Sequence, residues 1–453
     1  MVKYHPHHER CLPMTSVCEV AHALQTVLTE DADAAAAFSG CIRRQGKFTG
    51  SSLCQTLVFG WLADPRASLS SLCQTAAACG VQVTPQGLDQ RFTLELAACL
   101  ELVLDAAVRQ VITASDRSVA LFTRFTAVVV RDTTTLSFPA GLTTIWPGCG
   151  NAQTAGTAAA VKVGVGYDLR AGGLLGPALA SGKTHDRAIA AQHPALAPGT
   201  LLLQDLGHFS TQAFAEQHAA GVEILSRLQH GTTLFTPDGT RLNLRLLLDG
   251  ATRSVDRPVL VGATERVPMR LLAVRVPQWV ADQRRRRMRE EAARRGQMVQ
   301  ADRLALADWT ILVTTLPPDR LTLPEALVLA RARWQIELLF KLWKQRGLVD
   351  EWRSQKEDRI LCEVYAKLLG LIIQHWLLLV GPWQDCACSL TKAAAAIRLA
   401  ALHLVWSLGS IRRCCAAIRQ IVTAAAAGSR ITPRKRRPNA YQCWLDPTLA
   451  AYA

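Results

Sequence analysis

Arg333, Glu337 and Lys344 stand at spacings that put a cation, a carboxylate and a cation on one helix face. At roughly 100° per residue, positions four and eleven after Arg333 fall within about 40° of it. Two further carboxylates, Asp132 and Asp205, follow the apolar runs Ala127-Val128-Val129-Val130 and Leu201-Leu202-Leu203. Short apolar runs rich in β-branched residues read as buried strands, so both aspartates are expected at the C-terminal ends of strands. Three carboxylates converging from two strand ends and one helix can hold two divalent ions. Hard cations such as Mg2+ take oxygen ligands and keep several waters. Two such ions about 4 Å apart stabilise the attacking and leaving oxygens of an in-line phosphoryl displacement. The chemistry open to these residues is metal-dependent cleavage and joining of a phosphodiester. Taken singly, each has a plainer reading: Glu337 and Lys341 form an i,i+4 pair on a solvated face, and an aspartate after a strand closes a turn.

The elements that must position these groups are legible as a sequence of periods. No helix breaker lies between Pro324 and Gly347, so one long helix, or two abutting ones, carries Arg333, Glu337 and Lys344. Upstream, strands are expected over Thr126–Arg131, near Ala158–Tyr167 and over Gly173–Leu179. A polar link, Gly182 to Gln192, precedes a strand at Thr200–Gln204, a helix at Thr211–Ala219 and a fifth strand at Val222–Arg227. Three strands, a link, a strand, a helix and a strand is the order of an RNase H-like fold, in which Asp132 and Asp205 come side by side. Short strands are expected at Thr232–Thr236, Leu242–Leu248, Val259–Val261 and Met269–Val276, with turns at Asp238-Gly239 and Asp249-Gly250. A basic helix around Arg284–Arg287 and a strand at Trp309–Leu316 complete the approach to the long helix. The predicted class is α/β: an RNase H-like catalytic core with a β-rich insertion, flanked by helical N- and C-terminal regions. The divisions are a helical DNA-binding region over 1–120, core over 121–228, insertion over 229–308, core over 309–380, and a helical, basic region over 381–453.

Within the first region, Leu72 to Gly80 reads as a short helix ending in glycine. Thr84 and Pro85 then cap and open a second helix expected to carry Gln86, Gln90 and Arg91. This is a helix-turn-helix pattern, with Arg91 directed at DNA.

Composition narrows the partner. Lys and Arg total 51 against 36 Asp and Glu, a formal charge of +15, which suits a polyanion and most simply nucleic acid. Fourteen cysteines without a Cys-x2-Cys pair read as reduced thiols, not a disulfide scaffold, in a chain of 453 residues. His5, His7, His8 and Cys11 have metal-binding side chains but read as a polar terminus. No secretory signal is visible. The apolar window Leu361–Val380 holds Glu363, Lys367, Gln374 and His375, which favours a buried helix over a membrane span.

The segment Arg333-Trp334-x2-Glu337-x6-Lys344 resembles the last acidic motif of DDE transposases of the bacterial insertion-sequence family four, whose signature is Tyr-x2-Arg-x3-Glu-x6-Lys. The tyrosine position is Ala330 here. Asp132-Thr133-Thr134 and Asp205-x-Gly207-x-Phe209 resemble the first and second acidic motifs of the same group, and Arg227 falls where that group often has an arginine. The resemblance covers roughly residues 60 to 380. It implies a transposase that cleaves and transfers DNA strands at the terminal inverted repeats of an insertion sequence, as a homodimer on double-stranded DNA. Asp132, Asp205 and Glu337 would be both catalytic and metal-binding, with two Mg2+ ions for which Mn2+ substitutes. Arg333 and Lys344 would contact phosphates near the transposon 5′ end, with Arg227 and Arg91 as further DNA contacts. The expected location is cytoplasmic and nucleoid-associated, with no membrane partner. Two other readings differ in class: a catalytically inactive DNA-binding protein derived from a transposase, and an RNase H-like nuclease without strand transfer.

Overall fold

The computed structural model describes residues 16–44, 46–117, 119–148, 159–385, 387–432 and 438–452. The histidine cluster at His5–Cys11 and the basic run Arg434–Arg437 lie outside these residues. In chain order the strands are β1 Val128–Phe138, β2 Ala159–Asp168, β3 Leu174–Ser181, β4 Leu201–Gln204 and β5 Glu223–Arg227, then β6 Leu234–Phe235, β7 Arg241–Leu242, β8 Ser254–Val261, β9 Val267–Arg275 and β10 Trp309–Thr314. The fold is mixed α/β with a large sheet. The chain divides into two compact units: Met1–Ser118 with Thr133–His185 and Glu337–Thr432, and Val119–Asp132 with Asp186–Ile336 and Pro433–Ala453.

In the second unit the neighbouring strands run β1-β4-β5-β10-β9-β8-β6-β7. β1, β4 and β5 are parallel, and β10 opposes both β5 and β9. The short runs of β1 and β4 are apolar throughout because both faces are covered, as buried parallel strands require. A core of Phe214, Ile224, Val259, Val261, Leu271 and Val313 holds β5 and β8 to β10 together, and Phe209 packs edge-on against Phe214 with centroids 4.9 Å apart. Leu242–Leu248 is not a strand. Asn243 caps a helix, Leu244–Asp249, by accepting from the N–H groups of Arg245 and Leu246, and one buried leucine, Leu248, faces the core. An asparagine one residue ahead of a leucine-rich turn favours a cap over a pleat.

The first unit is built on the helix Glu357–Leu379, which is buried along nearly its whole length. It is the one described helix long and apolar enough to cross a membrane, and its apolar stretch is buried inside the protein. Glu363 and Lys367, each 2% exposed, pair at 2.8 Å across one turn, and Lys367 also donates to the carbonyls of Leu348 and Glu351. His375 sits on the same helix, its Nε2 2.7 Å from the Gly172 carbonyl in the β2–β3 turn. Gly172 is required there: φ is +75°, and a Cβ would stand 2.4 Å from Leu379 and 2.7 Å from Trp383. The cysteines among the described residues are free thiols.

The helix-turn-helix expectation is met only in outline. Leu69–Ala78 is followed by Gly80 at φ +81° and by a helix of five residues, Pro85–Asp89, capped by Thr84. Gln90 is its C-cap and Arg91 lies beyond it, exposed in the next turn. Asp89 pairs with Lys356 and Arg359, so part of this short helix is committed to the unit's own packing.

Candidate active site

Parallel pairing brings the two aspartates to the same level. Val128, Val129 and Val130 of β1 face Leu201, Leu202 and Leu203 of β4 in register. Asp132 and Asp205 each lie two residues further on, at neighbouring positions on one edge of the second unit. β1 does not end at Asp132 but runs to Phe138, because Thr133, Thr134 and Thr135 are β-branched and sustain a strand. Asp205 leaves β4 and opens a short turn of helix, Leu206–His208.

The long helix is two helices. Leu323–Ala332 is capped by a Thr322–Glu325 box and ends at Arg333, and Trp334–Gln345 follows. No glycine or proline marks the break. At it, the Arg333 guanidinium reaches both aspartates: Nη1 is 3.7 Å from Oδ2 of Asp132 and 3.7 Å from Oδ2 of Asp205. Glu337 lies in the first turn of the second helix, half-buried. Lys344, two turns on, donates from Nζ to the Thr135 carbonyl of β1 at 2.8 Å.

β5 carries the next cation. Gln204 pairs with Ser226, so Arg227 follows at the level of Asp205, and across the other edge it faces Leu312 of β10. Arg227 opens into a pocket of about 550 Å3 lined also by Arg275, Arg284, Arg331, Arg333, Trp279 and Ala330. Its described lining holds five arginines and no carboxylate. Arg284, on the helix Gln278–Arg294, turns inward, donating to the Trp309 carbonyl and the Thr310 hydroxyl at 2.9 Å each. Burial, with the charge of Arg227, pushes its pKa below the usual arginine value. The expected basic helix is thus only partly a solvated charged face: Arg285 pairs with Asp282 and Asp308, Arg286 with Glu290, and Arg295 with Glu291. Sequence reasoning missed Trp279, Arg275 and Arg331 as pocket residues. The signal available was Arg331, two residues before Arg333 on the same segment.

His208, beside Asp205, is buried, and that burial lowers its pKa against the pull of Asp186 and Asp205.

The donor set suits a hard cation. Two carboxylate oxygens already converge on one positive group, and oxygen is what Mg2+ and Mn2+ select. Among the described residues no three His, Cys, Asp or Glu side chains are gathered as a preformed metal cage.

The arrangement has counterparts. A family profile described as "Transposase DDE domain" matches residues 126–373, a span that begins just before β1 and ends inside the helix Glu357–Leu379. The chain belongs to the transposase DDE domain family. It is 27% identical over 361 residues to the transposase for insertion sequence element IS231B of Bacillus thuringiensis subsp. berliner, covering 74% of each chain. It is 21% identical to the transposase for insertion sequence element IS1151 of Clostridium perfringens, over 73% of this chain and 74% of that one. A shorter stretch, 151 residues or 32% of this chain and 41% of the relative, is 30% identical to the putative transposase InsL for insertion sequence element IS186A of Escherichia coli. Divalent metal ions are the general requirement of this domain.

Proposed function

We propose that this protein is an insertion-sequence transposase that cleaves DNA at the terminal inverted repeats of its element and transfers the freed strands to target DNA. One observation carries the reading: inside the span shared with the family, Asp132 and Asp205 stand at matched register on parallel strands with Arg333 between them. The parallel β1-β4-β5 set and the antiparallel β2–β3 hairpin support an RNase H-like core.

Asp132, Asp205 and Glu337 are the residues that would hold two Mg2+ ions, with Mn2+ as a substitute. Such ions supply a more acidic bound water and stabilise charge on the attacking and leaving oxygens. The protein's own groups do the positioning. Arg333 offers a planar fork and Lys344 a point charge to phosphate oxygens. Arg227 and the arginine-lined pocket beside it attract the strand. Arg91, exposed beyond the short N-terminal helix, is read as a further duplex contact. The active form is read as a homodimer on DNA, in the bacterial cytoplasm at the nucleoid and away from membranes.

The test is cleavage and joining of linear DNA carrying the sequences that flank the gene, in Mg2+. Nicking at matched inverted repeats with strand transfer into plasmid is expected. Binding without nicking would instead mark an inactive derivative, and nicking without joining a nuclease.

A further inference from the structure

Arg333 stands where a metal ion bound to the two aspartates would have to be balanced. Its Nη1 is equidistant, at 3.7 Å, from one oxygen of each carboxylate. At that length the contact is one of charge, beyond hydrogen-bond reach. The three side chains are partly shielded, with exposures of 18% for Arg333, 24% for Asp132 and 32% for Asp205, so the attraction is weakened less than on an open surface. Two neighbouring carboxylates repel, and an opposite charge within about 4–6 Å relieves that repulsion. The Arg333 guanidinium is placed to perform this role. A divalent ion needs oxygens at about 2.1 Å and brings two positive charges to the same pair. A metal bound at those carboxylates and a guanidinium beside them repel each other.

We infer that Arg333 is an internal counter-ion that holds the Asp132–Asp205 pair in the metal-free protein and must leave it when a divalent ion binds. This builds on the metal-dependent reading of the aspartates. The displaced guanidinium is then available to a DNA phosphate, so one side chain exchanges partners between the carboxylates and the substrate. The break between the helices Leu323–Ala332 and Trp334–Gln345 falls at Arg333, which is the C-cap of the first and directly precedes the second. Toward the metal, Arg333 is therefore a positioning residue that acts through the aspartates. Metal affinity and arginine occupancy oppose each other by linkage.

The measurement is Mn2+ binding to the full chain without DNA, read by electron paramagnetic resonance of the unbound ion, with melting temperature recorded at each Mn2+ concentration. Arg333→Gln should bind Mn2+ roughly tenfold more tightly than wild type, the size of effect an adjacent charge has on a carboxylate. It should also melt lower than wild type without metal and recover more on adding Mn2+. Arg333→Lys keeps the charge and should bind Mn2+ close to wild type. Equal or weaker Mn2+ binding by Arg333→Gln, with Arg333→Lys folded as a control, overturns the inference. Asp132→Asn and Asp205→Asn separate the two levels. If they bind Mn2+ as wild type does, the metal reading of the aspartates fails. If they lose Mn2+ while Arg333→Gln shows no gain, only the counter-ion role fails.

Discussion

Lys344 Nζ donates to the backbone carbonyl of Thr135, 2.8 Å away, three residues past Asp132 on the same strand. A lysine that the family resemblance assigns to phosphate is thus also a brace on β1, the strand that carries Asp132. The two roles separate experimentally. Lys344→Met removes the donor and should cost about 1 kcal/mol, a few degrees of melting temperature. Lys344→Gln retains a donor and should melt near wild type, yet still slow single-turnover cleavage of a pre-nicked end by roughly tenfold or more. Normal cleavage by Lys344→Gln would leave the brace as its whole role.

The carboxylates are tested by near-isosteric change. Asp132→Asn, Asp205→Asn and Glu337→Gln should each lower cleavage more than roughly a thousandfold, about 4 kcal/mol of barrier, while binding to duplex DNA persists. A variant that cuts at a rate near wild type removes its residue from the assignment.

Arg227 and the arginine-lined pocket make a prediction about salt. Each phosphate contact contributes a slope of about 0.9 in log affinity against log salt. Arg227→Ala should flatten the measured slope by about that amount for any duplex sequence. An unchanged slope would mean that no phosphate sits at Arg227.

The Glu363–Lys367 pair is structural and lies deep in the first unit. Removing one partner strands a buried charge. Glu363→Ala should lose about 3–5 kcal/mol of stability in denaturant melts. Replacing both residues with leucine and methionine should be far milder. A small loss in the single variant would show that Lys367 is satisfied by the Leu348 and Glu351 carbonyls alone.

His375 ties stability to acidity. Burial lowers its pKa from 6.5 to about 4, with the Gly172 carbonyl opposing that shift and Arg117 adding to it. The folded protein therefore holds the ring neutral where the unfolded chain takes up a proton. The stabilisation is complete above pH 6.5 and is lost progressively as pH falls toward about 4. Its full size is on the order of 3 kcal/mol. His375→Gln should show a shallower fall in stability across that window than wild type. Parallel curves would place the acid sensitivity elsewhere.

Much of this site is legible in the residues themselves. Asp132 and Asp205 follow apolar β-branched or leucine runs, and the chemistry proposed for the three carboxylates rests on their type. Strand positions are local because a period of two and β-branched bulk are local properties. The same locality misplaced two boundaries. β1 runs past Asp132 because the threonines after it are good strand formers, and Leu242–Leu248 folds as a capped helix because one asparagine side chain satisfies two N–H groups.

By itself the sequence named the candidate carboxylates and cations and most of the secondary elements that carry them. Tertiary structure alone decided the pairings. The β1–β4 register that levels Asp132 with Asp205, the break at Arg333 with no breaker residue, and the inward turn of Arg284 onto β10 have no local signature. Each is set by partners tens or hundreds of residues away, where hydrogen-bond register and charge neutralisation outweigh what the neighbouring residues prefer.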